Sequence, residues 1–331
     1  MKVSYIFKRL LHMNYGQMLG KINSIHKKTG MGRIKIFMDM KECAVKYGAG
    51  YMDYDLFEMY NLTDEQRDTY ITRGRNNELV KKYNDLAYAH FFDNKDEFCE
   101  HFDKFLKRKW LRVTPENREA IRSFLEANPV FIAKPTDGSC GKGVDKLDVE
   151  SFGSVDKCLE HVFSYKEPYL VEQVIRQHPE VSAVYAQSVN TVRAVTVYRN
   201  GKVHFVLACC RIGNGGKHVD NFNNGGMTAP VDENTGEVLA PAIDKKKNLY
   251  KEHPMTGTPI VGFRFPDWDQ VIELITEAAL VIPQVGYVGW DVAFTPEGPC
   301  LVEGNNFTGH DLYQLPEHTP NKIGVMPKFP D

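Results

Sequence analysis

Three oxygen-bearing side chains interrupt two otherwise apolar runs in VGWDVAFTPEGPCLVEGNN, residues 288–306. Asp291 lies in VGWDVAF, and Glu303 and Asn305 lie in LVEGNN. Side chains of a strand alternate between its faces. Val288, Trp290, Val292 and Phe294 therefore share one face, with Asp291 on the other. Leu301, Glu303 and Asn305 share a face of the second run. Between them Thr295-Pro296-Glu297-Gly298-Pro299 reads as a hairpin turn. A hairpin symmetric about Glu297 sets Asp291 opposite Glu303. Two carboxylates at cross-strand distance repel, so something positive belongs between them. Two readings stand open: a hard cation such as Mg²⁺ held by carboxylates and an amide oxygen, or separate pairing of each acid with an Arg or Lys.

A second group of residues is suited to phosphate. In VFIAKPTDGSCGKGV, Lys134 ends an apolar strand on the face of Val130 and Ile132. Glycines follow at Gly138, Gly141 and Gly143, around Ser139. Glycine backbone approaches an anion closely, and its N–H groups can cradle phosphate oxygens. The loop matches neither G-x-x-x-x-G-K-[ST] nor G-x-G-x-x-G, and by itself it reads equally well as a tight turn without ligand. Lysine is rarely buried without a partner. PYLVEQVI carries Glu172 and Gln173 at the end of an apolar run, and Arg193 interrupts TVRAVTV. An inward arginine takes a protein carboxylate or a phosphate, and both readings stand. Together, the lysine, the glycine loop, the arginine and the acidic hairpin complement ATP with Mg²⁺.

The elements that must hold these residues can be read from periodicity. VFIAK, VDKLDVE and PYLVEQVI are strand-like, with a short helix near 155–163. NTVRAVTVYRNGKVHFVLACCRI is a hairpin about Asn200-Gly201. DWDQVIELITEAALVIP is an amphipathic helix. Residues 39–125 read as mainly helical, with Asn61 or Thr63 as a cap and Gly74 as a stop. NKDEFCEHFDKFL places Phe98, Phe102, Phe105 and Leu106 on one helical face. The tail LPEHTPNKIGVMPKFPD reads as peripheral. The fold class is α+β, divided as a mainly helical region 1–110, a small lobe 111–175 with the glycine-rich lid, and a lobe 176–331 with the acidic hairpin.

The net charge of −2 argues against nucleic acid as a partner. No apolar run reaches the length of a membrane span, and the N-terminus lacks the uninterrupted core of a signal peptide. Seven cysteines without a CxxC pair point to a reducing, cytoplasmic setting. Residues 1–38 contain basic but no acidic side chains, with Ile6, Leu10, Met13, Met18, Ile22 and Ile25 at helical spacing. That arm either packs with a solvated basic face or contacts the inner face of a membrane or an enzyme complex. The oligomeric state cannot be read from the sequence.

The ordered set FIAKPTDGSCGKGV, LVEQVIRQHPEV, SVNTVRAVTV, VDNFNNGGM and VGWDVAFTPEGPCLVEGNN resembles the ATP-grasp superfamily, more narrowly its sugar-transfer-associated group, over residues 85–315. The resemblance implies a nucleotide held between two α+β lobes. It assigns the α- and β-phosphates to Lys134, with Lys95 of FDNKDEF as an earlier phosphate lysine. Gly138, Ser139, Gly141 and Gly143 form the lid; Glu172, Gln173 and Val174 are the hinge at the adenine; Glu180 takes ribose hydroxyls. Arg193 stabilises the transferring phosphoryl with help from Asn190, and Asp291, Glu303 and Asn305 hold Mg²⁺. His218, Asp220, Asn221 and Asn224 are expected at the acceptor, in a segment that reads equally as a polar surface loop. The implied activity is an ATP-dependent carboxylate–amine or carboxylate–thiol ligase working through an acyl-phosphate, on a sugar-linked or amino-acid substrate of surface polysaccharide biosynthesis. A small-molecule or sugar kinase and a non-catalytic nucleotide-binding scaffold are the alternatives.

Overall fold

Turn chemistry and period-two alternation produce two antiparallel sheets in this chain. The structure is a computed structural model that describes residues 14–138, 143–215, 222 and 225–330. These form two units, residues 14–82 with 309–330, and residues 83–308.

In the first unit, α1 (Tyr15–Thr29) begins at Asn14, whose side chain accepts from Gln17 N at 3.0 Å. It stops at Gly30 in the left-handed conformation, φ 74°. α2 (Arg33–Tyr47) follows, and Met18, Ile22 and Ile25 of α1 form a core with Ile36, Met40 and Cys43 of α2. Thr63 and Gln66 make a capping box, but the helix they start ends at Asp68. Gly74 is no stop; it lies inside the helix Arg73–Tyr83. The chain's tail is not peripheral to this unit. Buried Gln314 accepts from Ile71 N at 3.0 Å and donates to Ile71 O at 2.5 Å, and Leu315 and Val325 are buried.

The second unit begins with residues that read from sequence as part of the helical N-terminal region. α3 (Lys95–Leu106) is capped by Asn94 and buries Phe98, Phe102, Phe105 and Leu106. The first sheet contains β1 (Trp110–Arg112), β2 (Val130–Pro135), β3 (Asp145–Asp148) and β4 (Tyr169–Gln173), in the order β1-β4-β2-β3. α4 (Arg118–Ala127) and α5 (Val155–Phe163) cover one face, where Phe131, Ala133 and Val171 meet Ile121, Phe124, Leu159 and Val162. Alternation leaves Ile132, Lys134 and Glu172 for the other face.

The second sheet has the order β11-β10-β5-β6-β7-β8-β9, all antiparallel. Its strands are β5 (Thr191–Arg199), β6 (Lys202–Ile212), β7 (Met227–Pro230), β8 (Ala242–Ile243), β9 (Leu249–Tyr250), β10 (Tyr287–Thr295) and β11 (Gly298–Asn305). Asn200 and Gly201 both take positive φ, as a two-residue hairpin turn demands. The core face carries Val192, Ala194, Val288, Trp290, Val292 and Phe294. It packs against Phe98 and Phe102 of α3 and against Leu274 and Ile275 of α6 (Trp268–Ala279). Trp290 is fully buried and donates its indole N–H to Thr196 Oγ1 at 2.9 Å.

The β10–β11 hairpin brings Asp291 opposite Glu303 by a route the sequence did not reveal. Its turn is shorter than the symmetric one: Thr295 pairs with Gly298, so the ladder starts half a residue away from a centre at Glu297. A bulge shifts the register between Asp291 and Val292, with Val302 as the extra residue. Leu301 therefore pairs with Val292 and enters the core, while Glu303 pairs with Asp291 on the opposite face. The expectation that Leu301 shares the face of Glu303 is corrected by this bulge.

Candidate active site

The non-core face of the second sheet concentrates its charge in one row. Arg193 of β5 pairs in register with Asp291 of β10, which pairs with Glu303 of β11. Arg193 Nε donates to Asp291 Oδ1 at 2.5 Å and Nη2 to Oδ2 at 2.9 Å. Arg211, at the end of β6, donates from Nη1 to the same Oδ2 at 2.7 Å. Burial alone would raise the Asp291 carboxyl, but the two guanidiniums outweigh it and hold it well below the usual carboxylate range. Glu303 is in the opposite condition. Burial, and then the charge of Asp291, push its carboxyl upward.

Asn305 Nδ2 donates to Gly289 O at 3.3 Å and approaches Glu303 Oε1 at 3.5 Å. Gly289 is required where it stands. A Cβ there would lie 2.3 Å from Thr308 Oγ1 and 3.0 Å from Arg193 Cδ.

The first sheet contributes cations. Buried Lys134 donates to Glu172 Oε1 at 2.8 Å. The other carboxylate oxygen accepts from Arg108 Nε at 2.9 Å, and Arg108 continues to Leu301 O at 2.6 Å and Val302 O at 3.2 Å. Arg108 therefore ties Glu172 to the bulge of β11. Burial raises the Glu172 carboxyl, yet Arg108 and Lys134 together bring it down to about 2. Lys95 opens α3 and donates to Gly138 O at 2.7 Å. Burial and the charge of Lys134 lower its ammonium, while Glu303 acts the other way. Lys95 thus stands within electrostatic reach of both the Lys134 side and the Glu303 side.

Arg108 thus joins the Lys134–Glu172 pair to β11, whose Glu303 pairs with Asp291 and through it with Arg193, and Lys95 N donates to Thr136 O at 2.9 Å, two residues after Lys134. Gly138 and Gly143 follow in left-handed conformations at φ 107° and 71°. Ser139 and Gly141 lie outside the described residues, as do His218, Asp220, Asn221 and Asn224.

Three of the side chains assigned from the resemblance have partners within the protein. The side chain of Glu172 is spent on Arg108 and Lys134, and that of Gln173 accepts from Lys109 N and donates to Asn128, so neither is offered to a base. The amide of Asn190 is also held by the backbone. Both hydrogens of its amide go to Val181 O and Tyr185 O, and its oxygen accepts from Gly213 N at 3.1 Å. Val174 is half-buried just after β4, and Glu180 is exposed in the first turn of the helix Pro179–Val184.

Sequence reasoning missed Arg211 and Arg108. Arg211 was not legible: folding the hairpin symmetrically about Asn200-Gly201 sets Arg211 opposite Asn190, on the other face from Arg193, and only the register shift between Val195 and Thr196, with Val206 as the extra residue, brings it diagonal to Arg193 on one face. Arg108 carried no signal either, because it lies in the irregular LKRKW stretch before β1.

The residues present fit a hard divalent cation. Among the described residues no group of three or more His, Cys, Asp and Glu side chains is arranged to hold a metal. The oxygen donors are two carboxylates on one row and an amide two residues on. A buried carboxyl pushed upward by its neighbour's charge is one that a cation between the two would bring down.

A family model described as "Sugar-transfer associated ATP-grasp" matches residues 74–323. No curated protein matches the sequence. Among solved structures, D-alanyl-alanine synthetase A from Vibrio cholerae superposes with a TM-score of 0.43 at 15% identity, covering 70% of this chain and 61% of that one. N5-carboxyaminoimidazole synthase from Aspergillus clavatus, in complex with ADP and its ribonucleotide, gives 0.45 at 11% identity, covering 77% and 57%. D-alanine–D-alanine ligase from Helicobacter pylori gives 0.43 at 13%, covering 77% and 68%. The chain spans less than two thirds of the first two of these proteins.

Proposed function

The chain belongs to the sugar-transfer-associated ATP-grasp family, and on that premise we propose that it is an ATP- and Mg²⁺-dependent ligase joining a carboxylate to an amine or thiol. The observation that carries this reading is that Arg108 ties the Lys134–Glu172 pair to the bulge of β11, beside the Arg193–Asp291–Glu303 row. Cations on one side and a mixed acid–guanidinium row on the other suit a polyphosphate.

In this reading Lys134 and Lys95 hold the phosphates. Glu172 and Arg108 keep Lys134 in place, and a base meeting the hinge meets its backbone and Val174 rather than the Glu172 carboxylate. Glu180 is assigned the ribose, and Gly138 to Gly143, with Ser139 and Gly141, the lid. Arg193 and Arg211 face the phosphoryl in flight. Asp291, Glu303 and Asn305 would hold Mg²⁺, which when bound neutralises charge on the phosphates.

The chain offers positioning and electrostatics rather than a side-chain nucleophile. The substrate carboxylate attacks the γ-phosphorus, the bond to the β-bridging oxygen breaks, and ADP leaves. The acceptor amine or thiol then attacks the acyl carbon, loses its proton and displaces orthophosphate. The family's description, with its sugar-transfer association, supports a sugar-linked partner, and surface polysaccharide synthesis is the setting proposed for it. Residues His218, Asp220, Asn221 and Asn224 are proposed for the acceptor.

The test is ³¹P NMR of the protein with ATP, Mg²⁺ and a small-molecule extract of its source, with Glu303→Gln as control. ADP with free orthophosphate, absent in the variant, is expected. ADP with a new phosphoester and little orthophosphate would replace the ligase by a kinase.

A further inference from the structure

α2 carries two apolar stripes where a solvent-facing helix carries one. Ile36, Met40, Cys43 and Tyr47 are buried in the first unit. On the opposite side, Ile34, Met38 and Val45 form a second stripe with Lys41 among them, at spacing i, i+4, i+7, i+11. Ile34 is 81% exposed, and Met38 and Val45 are each 54% exposed. The ridge is about 17 Å long at 1.5 Å per residue. Leu19 of α1 and Phe37 of α2 are exposed as well. Arg33 Nε donates to Asn23 Oδ1 at 2.7 Å, which ties the start of α2 to α1.

Cations are frequent beside the ridge. No Asp or Glu occurs from Asn14 to Met38, whereas Lys21, Lys27, Lys28, Arg33 and Lys35 do, with Lys21 and Lys28 paired to Asp55 and Glu58. Both acids of α2 have cationic partners, Asp39 with Arg67 at 2.8 Å and Glu42 with Lys46 at 2.5 Å, and Asp64 shares those cations at 3.6 and 3.1 Å. Among the described residues, no ion pair within 4 Å holds Lys27, Lys35 or Lys41.

We infer that this α1–α2 hairpin docks on an anionic lipid surface, with the Ile34–Met38–Val45 ridge entering the headgroup layer and Lys27, Lys35 and Lys41 meeting the lipid phosphates. Exposed apolar side chains amid cations are the composition of an interfacial helix. Among the described residues no helix is long and apolar enough to cross a membrane, so the contact is with the surface. A second copy of the chain is the poorer occupant. A two-fold pairing of the ridge would bring like charges together, with Lys41 near its middle.

The experiment is co-sedimentation of the full chain with two kinds of vesicle: phosphatidylcholine alone, and phosphatidylcholine with about a third phosphatidylglycerol. Binding to the anionic vesicles only, weakening with salt, is expected. Ile34→Ser with Met38→Ser should weaken it about tenfold or more, and Lys35→Glu or Lys41→Glu about fivefold or more each. These side chains face solvent, so circular dichroism and ATP turnover should match the wild type. No binding to either vesicle overturns the inference, as does equal binding to both. Full binding by the serine variant with loss in the lysine variants would point to an acidic protein and overturn it. So would concentration-dependent self-association in sedimentation equilibrium that the serine variant abolishes. None of these outcomes bears on the ligase reading, which rests on the other unit.

Discussion

Asp291 and Glu303 face one another on the sheet in opposite electrostatic conditions. Asp291 is buried between two guanidiniums, so Asp291→Asn leaves Arg193 and Arg211 against a neutral amide. That variant should lose about 3–5 kcal/mol of stability, and its inactivity would not isolate a metal role. Glu303→Gln is the cleaner probe. The fold raises this carboxyl, so its ionised form is penalised above the ordinary carboxylate pKa, and glutamine removes the penalty. The variant should unfold in denaturant at the wild-type midpoint or higher, while turnover falls roughly a hundredfold or more. Wild-type turnover would remove Glu303 from the site.

Glu172 works the other way. Its carboxyl is held at about 2, below the ordinary value, so its stabilisation is full above the unfolded pKa of about 4.3 and is lost as pH falls toward 2. Glu172→Gln should cost about 3–5 kcal/mol at neutral pH, because Arg108 and Lys134 stay buried without their counter-charge. The difference between variant and wild type should shrink through that acid window. A constant gap in denaturation midpoints from pH 5 to pH 2 would count against the ion triad.

At the scale of elements, the β10–β11 hairpin holds the acids by a short turn corrected by a bulge. The sequence showed the pair Asp291–Glu303 because its alternation was visible, but not the bulge at Val302, because that depends on how Leu301 fills the core beside Val292. Gly289 lets β10 pass under Thr308 and the stem of Arg193. Gly289→Ala should cost about 1–3 kcal/mol and lower turnover by displacing Arg193. The two Thr308 atoms that a Cβ at Gly289 would strike are absent in Thr308→Gly, so the double variant should recover part of the stability in a double-mutant cycle. Strict additivity of the two losses would mean that the close approach is not what requires glycine.

At the scale of the molecule, the first unit is built from both ends of the chain. Residues 309–330 return to 14–82 through Gln314 on Ile71 and Met326 on Thr69. Ending the chain after Thr308 removes these partners and should expose the core of α1 and α2. Hydrogen exchange in those helices should then accelerate at least about tenfold relative to the full chain. Unchanged protection would show that the tail is dispensable. The Pro-rich composition of the tail read as a peripheral segment, and nothing local in it announces a buried glutamine whose partners lie more than two hundred residues away.

The sequence by itself determined most of the elements and the facing acids of the β10–β11 hairpin. The hairpin at Asn200-Gly201, a second hairpin turning between Thr295 and Pro299, the helix near 155–163, and the pairing of Asp291 with Glu303 follow from periodicity and turn chemistry. Such signals act over a few residues, so a linear reading finds them. Only the tertiary structure decided that Arg211 shares Asp291, that Arg108 and Glu172 anchor Lys134, and that Asn190 serves the backbone. Each of these depends on which oxygen or nitrogen is left over once the sheets have closed, and that is settled by packing between segments far apart in the chain.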